Sequence, residues 1–135
     1  MRYVVVALAV MLLSVITAPA AETVRATGVY SNLSYNKEGG DLLGVEILIF
    51  PSKDPTGFAG LVQLAEGGAP IAVLVPVHVS GLQVEFTIPQ GGTYAGLRFS
   101  GTLSRTELVG KWSSGNAFGG SGDTERLKRG KSHWQ

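Results

Sequence analysis

Few side chains in this sequence of 135 residues could do chemistry. The chain has no cysteine and two histidines, His78 and His133. Metal sites in proteins draw three or four ligands from histidine, cysteine and carboxylate side chains. The sequence has no run of closely spaced carboxylates that could supply the missing ligands. We therefore expect no metal site and no cofactor.

Nucleophilic catalysis needs a base beside the nucleophile, and only His78 is placed to act as one. Ser80 lies two residues further on, but it stands at a predicted turn, and the chain has no Gly-X-Ser-X-Gly elbow. His78 is therefore interpreted as a structural residue of a strand. Paired carboxylates could serve glycoside hydrolysis, but nothing in the sequence selects a pair. We expect that the protein is not an enzyme and has no catalytic residue.

The first 20 residues have the three-part layout of a secretory signal peptide. Arg2 is followed by an uncharged apolar run, residues 3–16, and then by Ala18-Pro19-Ala20. A spanning helix needs roughly 20 apolar residues, so we expect cleavage after Ala20 rather than an uncleaved anchor, and no transmembrane segment afterwards. Residues 21–135 would then form a single domain. The absence of cysteine favours a bacterial periplasmic or secreted protein.

The remaining sequence alternates apolar and polar residues with a period of two, which predicts strands with one buried face. In LQVEFTI, for example, Val84 and Phe86 share one face. Eight segments fit this pattern: TVRATGVY, LLGVEILIF, FAGLVQLA, IAVLVPVHV, LQVEFTI, AGLRFSGTL, TELVGKW and TERLKR. Tight turns at Ser80-Gly81 and Ser104-Arg105 and the loop GNAFGGSG separate them. We predict an all-β fold, an antiparallel up-and-down meander of about eight strands closing into a small barrel, with a β-sandwich as the alternative.

The run YAGLRFSGTLSRTELVGKWSSG followed by ERLKRG resembles the closing hairpins of small bacterial lipocalin-like and avidin-like barrels of the calycin type. The resemblance covers only the C-terminal third. At the first strand, Gly28 and Tyr30 stand where the lipocalin pattern has Gly-X-Trp. The chain also looks like secreted proteins of proteobacteria that end in a serine-aromatic-tryptophan tail. The resemblance implies a barrel, and it carries over no ligand-binding or catalytic residue.

The basic C-terminal stretch ERLKRGKSHWQ is interpreted mainly as the last strand of the barrel. Arg126 and Lys128 would face outward and Leu127 inward, and Trp134 is expected to plug the end of the barrel. Nucleic-acid binding is not expected, because an exported protein rarely meets nucleic acid. Binding of this tail to anionic lipid or polysaccharide stays open.

Two functions follow from the strand faces. A carrier would hold a small hydrophobic ligand inside the barrel, where Gly60, Gly110 and either Gly96 or Gly101 would leave room. Its binding residues are predicted as Phe86, Phe99, Gly110 and Trp112. An interaction module, such as an inhibitor or an envelope accessory protein, would instead use the outer faces of those strands that carry apolar residues on both sides. Its surface residues are predicted as Leu48, Phe50, Leu74 and Pro76. Pro76 cannot donate to a ladder, which predicts a sheet edge or a bulge nearby.

Overall fold

The structure is a computed structural model, and it describes residues 23–113 and 122–135. This part of the chain contains nine strands and no helix. They are β1 (Gly28–Ser31), β2 (Ser34–Asn36), β3 (Asp41–Pro51), β4 (Gly57–Glu66), β5 (Ile71–Ser80), β6 (Gln83–Thr87), β7 (Arg98–Leu103), β8 (Glu107–Ser113) and β9 (Thr124–Gly130). Successive strands from β3 to β9 are antiparallel neighbours. The prediction of an all-β meander is confirmed.

The sheet closes into a barrel through β1, which pairs with β9 on one side and with β3 on the other. Tyr30 lies opposite Arg129 in β9 and opposite Ile47 in β3. Eight strands form the barrel, and β2 is an extra short strand that the alternation pattern did not predict. It pairs with the beginning of β3, so that β1 and β2 form one interrupted strand along β3.

Asn32 makes the connection at this interruption. Its backbone N–H donates to the Val45 carbonyl at 3.0 Å. Its side-chain Oδ1 accepts the Val45 N–H at 2.7 Å. A short polar side chain therefore takes the place of a ladder bond between β1 and β2.

The interior of the barrel is built from the alternate residues that the sequence pattern assigned to inward faces. Val84 and Phe86 of β6, Leu108 of β8 and Leu127 of β9 are all buried. Together with the inward residues of the other strands they form one hydrophobic core. Burial of this apolar surface is the main term that stabilises a domain without disulfides.

The segment before β1 closes one end of the barrel and is not the strand that the sequence predicted for residues 23–27. Ala26 is buried, and its carbonyl accepts the Tyr30 hydroxyl at 2.9 Å. Arg129 donates to the carbonyls of Arg25 at 2.8 Å and Thr27 at 2.7 Å. These side chains satisfy the backbone carbonyls, so the segment needs no neighbouring strand.

The connection between β6 and β7 contributes to the opposite end. Ile88, Tyr94 and Leu97 are buried there, although the sequence predicted that β7 begins at Ala95. The Tyr94 hydroxyl donates to Glu66 Oε2 at 2.9 Å. Burial, reinforced by the bond to the negative Glu66 carboxylate, raises the pKa of Tyr94 to about 12.

Two sequence predictions lie wholly or mostly outside the described residues: the signal peptide at residues 1–20 and the loop GNAFGGSG. Within the described ranges, no helix is both long and apolar enough to cross a membrane.

Candidate interaction surface

The outward side chains of β3, β4 and β5 form an apolar surface, which we call the outer apolar face. Register places them in rows across the three strands. One row joins Leu48, Leu61 and Leu74, and the next joins Phe50, Ala59 and Pro76. The face consists of Leu48, Phe50, Ala59, Leu61, Ala72, Leu74 and Pro76. The structure therefore brings together all four residues that the sequence predicted for an interaction surface.

This face arises because β3 and β5 carry apolar residues on both sides. Their inward residues, such as Val45 and Val75, are buried in the barrel. Among the described residues, no further layer covers Leu48 of β3 or the outward side chains of β5. Leu74 is 62% exposed and Leu48 is 38% exposed, while Leu61 between them is half-buried. A row of leucines that the fold leaves in water is typical of a surface that meets another molecule.

The opposite side of the barrel has a different chemistry. Outward residues of β6 to β9 are mostly polar, and they pair across strands. Arg98 forms a salt bridge with Glu85 at 3.0 Å, and Arg126 forms one with Glu107 at 3.0 Å. Thr102 and Gln83 exchange hydrogen bonds between β7 and β6. The barrel thus has one side suited to water and one side that is largely apolar.

A buried carboxylate marks the boundary of the outer apolar face. Glu46 lies two residues before Leu48 and points outward from the same face of β3, yet it is only 2% exposed. The C-terminal residues cover it, because Ser132 Oγ donates to Glu46 Oε1 and the His133 N–H donates to Oε2 at 2.7 Å. Such charge-assisted bonds compensate the cost of taking a carboxylate out of water.

Trp134 lies beside this carboxylate on the outside of the barrel. Its Nε1 donates to Gln63 Oε1 at 2.9 Å, and its side chain is 54% exposed. The expectation that Trp134 plugs the barrel end is therefore wrong. Glu46, Gln63 and Ser132 were missed at the sequence level. The one signal for them was the single charge of Glu46 in the apolar stretch LLGVEILIF, which required a partner.

The other predicted site, inside the barrel, is an aromatic cluster. Phe86, Phe99 and Trp112 lie side by side on β6, β7 and β8. The ring centroids of Phe86 and Phe99 are 5.2 Å apart in a stacked arrangement. The Trp112 ring lies edge-on, 5.0 Å from Phe99 and 5.7 Å from Phe86. These separations are those of rings in direct contact.

The interior glycines do not leave the room that the sequence predicted beside them. A Cβ added at Gly110 would lie 2.4 Å from Cζ of Phe99, and one at Gly101 would lie 2.8 Å from the same ring. One at Gly60 would lie 2.9 Å from a methyl group of Val77. The side chains of Phe99 and Val77 therefore occupy the space beside these glycines.

A pocket of about 340 Å³ lies at the end of the barrel closed by the segment before β1. Its lining consists of Thr23, Val24, Arg25, Arg105 and Arg129. None of the residues predicted to bind a hydrophobic ligand lines it. The Arg129 guanidinium is held there by the two backbone carbonyls described above and lies 5.5 Å from the centre of the Tyr30 ring.

His78 is exposed on the outer face of β5, two positions beyond Pro76, and takes no part in the core. Its interpretation as a structural histidine therefore finds no support in packing. Among residues 23–113 and 122–135, no group of three or more histidine, aspartate or glutamate side chains could hold a metal ion.

Comparisons of the chain with protein-family models, with curated proteins and with solved structures found no match. The resemblance to lipocalin-like and avidin-like barrels therefore stays an expectation.

Proposed function

We propose that this protein is an interaction module whose outer apolar face binds another protein with an apolar surface of its own. The observation that carries the proposal is the row Leu48, Leu61 and Leu74, which runs in register across three strands and is exposed at Leu48 and Leu74. Covering such a row releases about 25 cal/mol for each Å² of apolar surface removed from water. In a protein complex, the apolar centre of the partner's interface would cover these leucine side chains.

The border of the outer apolar face has the composition of an interface rim. Trp134 stands beside it and keeps half of its side chain exposed, and Gln63 supplies an amide. Tryptophan is among the residues that contribute most to binding at protein interfaces. Apolar centre and polar, aromatic border together favour a protein over a small molecule as the partner.

The carrier alternative has less support. It requires free volume near Phe99 and Gly110, where the rings of the aromatic cluster pack on one another and on the glycine backbone. Because residues 1–20 resemble a signal peptide, the partner is expected in the periplasm or outside the cell.

In-cell photo-crosslinking tests the proposal. A photoreactive amino acid replaces Leu74 on the outer apolar face, or Thr102 on the polar side of the barrel as the matched control. Both positions are exposed on the outside of a strand. We expect one discrete protein adduct from position 74 and none from position 102. Leu61→Glu should abolish that adduct, because a charge in the middle of the row opposes burial.

Three results would contradict the proposal. Equal adducts at both positions would show that contact is nonspecific. Adducts only with lipid would mean that the face meets a membrane rather than a protein. An adduct at position 74 that survives Leu61→Glu would mean that the leucine row does not hold the partner.

A further inference from the structure

Strand β5 is paired along only part of one side. It pairs with β4 from Ile71 to His78, but it pairs with β6 only through His78, Val79 and Ser80. The part of β5 from Ile71 to Val77 therefore has no strand beside it on the β6 side. We call this part the open edge.

Proline explains where the pairing stops. In an antiparallel ladder, alternate residues direct their N–H and C=O groups to the same neighbour. The two-residue turn Gly81-Leu82 connects β5 to β6, and the backbone N–H and C=O groups of Ser80 and His78 point toward β6. Pro76 is the next residue of β5 whose backbone groups point that way. Pro76 has no N–H, so it cannot continue the ladder. β6 pairs with β5 only as far as Glu85, which lies opposite His78.

The same alternation directs the N–H and C=O groups of Ala72 and Leu74 to the open edge. In the part of the chain that the structure describes, no other backbone group bonds to them from that side. An unpaired edge readily accepts another strand, and proteins protect such edges with charged residues, proline, bulges or a covering segment. Pro76 is the one such device within the open edge. Residues 71–77, IAVLVPV, contain no charge.

We infer that the open edge is a strand-pairing site for a second copy of this chain, antiparallel and related by a twofold axis at Leu74. The inference goes beyond the proposed function, because strand pairing uses the open edge and leaves the outer apolar face free to bind its partner. The axis sets Leu74 opposite Leu74 of the second copy. It sets Ala72 of each copy opposite Pro76 of the other.

This register suits the unusual chemistry of the open edge. Each Leu74 N–H donates to the Leu74 carbonyl of the other copy, and each Ala72 N–H donates to the opposite Pro76 carbonyl. Both donors of each edge are then used. The N–H that Pro76 lacks leaves only the Ala72 carbonyl without a partner, which costs less than an unpaired donor.

The side chains also fit a second copy. Pairing about Leu74 joins the two rows Leu48, Leu61 and Leu74 end to end into one continuous apolar row on the outside of both barrels. Because IAVLVPV contains no charged residue, the twofold axis brings no like charges together, and the symmetric arrangement involves no repulsion between charged side chains. Twofold pairing of identical surfaces is the commonest arrangement of protein oligomers.

Single cysteines test this geometry on a background that has none. In the proposed dimer the two Leu74 Cα atoms lie about 5.5 Å apart, within reach of a disulfide. The two Leu48 Cα atoms lie five strand spacings apart, about 24 Å. Under mild oxidation Leu74→Cys should give a covalent dimer. Leu48→Cys and Thr102→Cys should stay monomeric.

A second measurement tests the hydrogen bonds. Ala72→Pro removes an N–H that points to the open edge and leaves the ladder with β4 intact. Sedimentation velocity of the mature wild-type protein should show a dimer. Ala72→Pro should raise the dimer dissociation constant about tenfold or more, with an unchanged far-ultraviolet circular dichroism spectrum. If Ala72→Pro does not fold, Leu74→Lys serves the same purpose through charge.

The outcomes separate this inference from the proposed function. If the wild-type protein is monomeric up to millimolar concentration and Leu74→Cys gives no covalent dimer, the proposal that a second copy pairs at the open edge is overturned. The photo-crosslinked adduct can then still reveal a different protein partner. A dimer that is linked through Leu48→Cys instead would mean that the outer faces stack, which overturns strand pairing and supports the proposed function. A Leu74→Cys dimer together with weaker association of Ala72→Pro supports the inference.

Discussion

Gly110→Ala is expected to destabilise the barrel severely, although it adds a single methyl group. The new Cβ would lie 2.4 Å from Cζ of Phe99, 2.6 Å from the Ser100 carbonyl oxygen and 2.9 Å from Cα of Gly101. Contacts below 3.0 Å are essentially absent from real Cβ atoms. Two of these three contacts are to the backbone of β7, so no side-chain rotation can relieve them.

The magnitude follows from how tightly this region is packed. Phe99 is fully buried between Phe86 and Trp112, so its ring cannot move without displacing them. Overpacking a core costs about 1–3 kcal/mol. The added contacts with the β7 backbone place this substitution at the upper end, so we expect a loss of about 3 kcal/mol in the free energy of unfolding. Domains have only about 5–15 kcal/mol in total.

Urea unfolding of the purified protein, followed by Trp112 and Trp134 fluorescence, measures this loss. With a slope of about 1–3 kcal/mol per molar urea, the midpoint should fall by about 1–3 M. Gly130→Ala is the matched control, because Gly130 also lies in a strand and no atom lies within 4 Å of the place that its new methyl group would take. We expect the control to change stability by less than about 0.5 kcal/mol.

A double variant identifies the cause. Phe99→Leu shortens the side chain that the new methyl group meets, so Gly110→Ala should cost less in that background, with a coupling of about 1 kcal/mol. If Gly110→Ala is no more destabilising than Gly130→Ala, the interior has room beside Gly110. That result would refute the conclusion that side chains fill the barrel interior, and it would favour the carrier function.

Two further predictions concern Tyr94, in the connection between β6 and β7, and the C-terminal tail. Because the pKa of Tyr94 is raised from about 10 to about 12, its contribution to stability is complete below pH 10 and is lost as the pH rises toward 12. Tyr94→Phe should therefore flatten the fall in stability, on the order of 2 kcal/mol, that wild type shows in denaturant titrations over this range. An equal fall in both proteins would contradict the assignment. Ser132→Ala should remove one bond to buried Glu46 and cost about 1.5–3 kcal/mol, with a red shift of Trp134 emission as the tail loosens. An unchanged emission and midpoint would mean that the tail is not held by Glu46.

The residues of the candidate surface could be predicted from the sequence because strands alternate with a strict period of two. Leu48, Phe50, Leu74 and Pro76 stood out as apolar residues on the second faces of apolar strands. Their arrangement in rows could not be predicted, since rows depend on the register between β3, β4 and β5. Register is set by turns and by core packing along whole strands.

The open edge shows the same division. Pro76 predicted a sheet edge or a bulge, because the missing N–H is a local property of one residue. The sequence alone did not reveal that the pairing of β6 with β5 ends at Glu85 and His78. Beyond that point, no backbone group of the described residues bonds to the N–H groups of Ala72 and Leu74. The path of β6 depends on the connection that buries Ile88 and Leu97 in the barrel end.

The sequence by itself determined the class of fold, the count of the main strands and which residues face inward, because these follow from local alternation and turn residues. Only the tertiary structure decided how the interior is filled and what covers Glu46. Phe99 meets Gly110 from a neighbouring strand, and Ser132 reaches Glu46 from 86 positions away along the chain. Contacts between residues distant in sequence have no periodic signal, because they form only when the barrel closes.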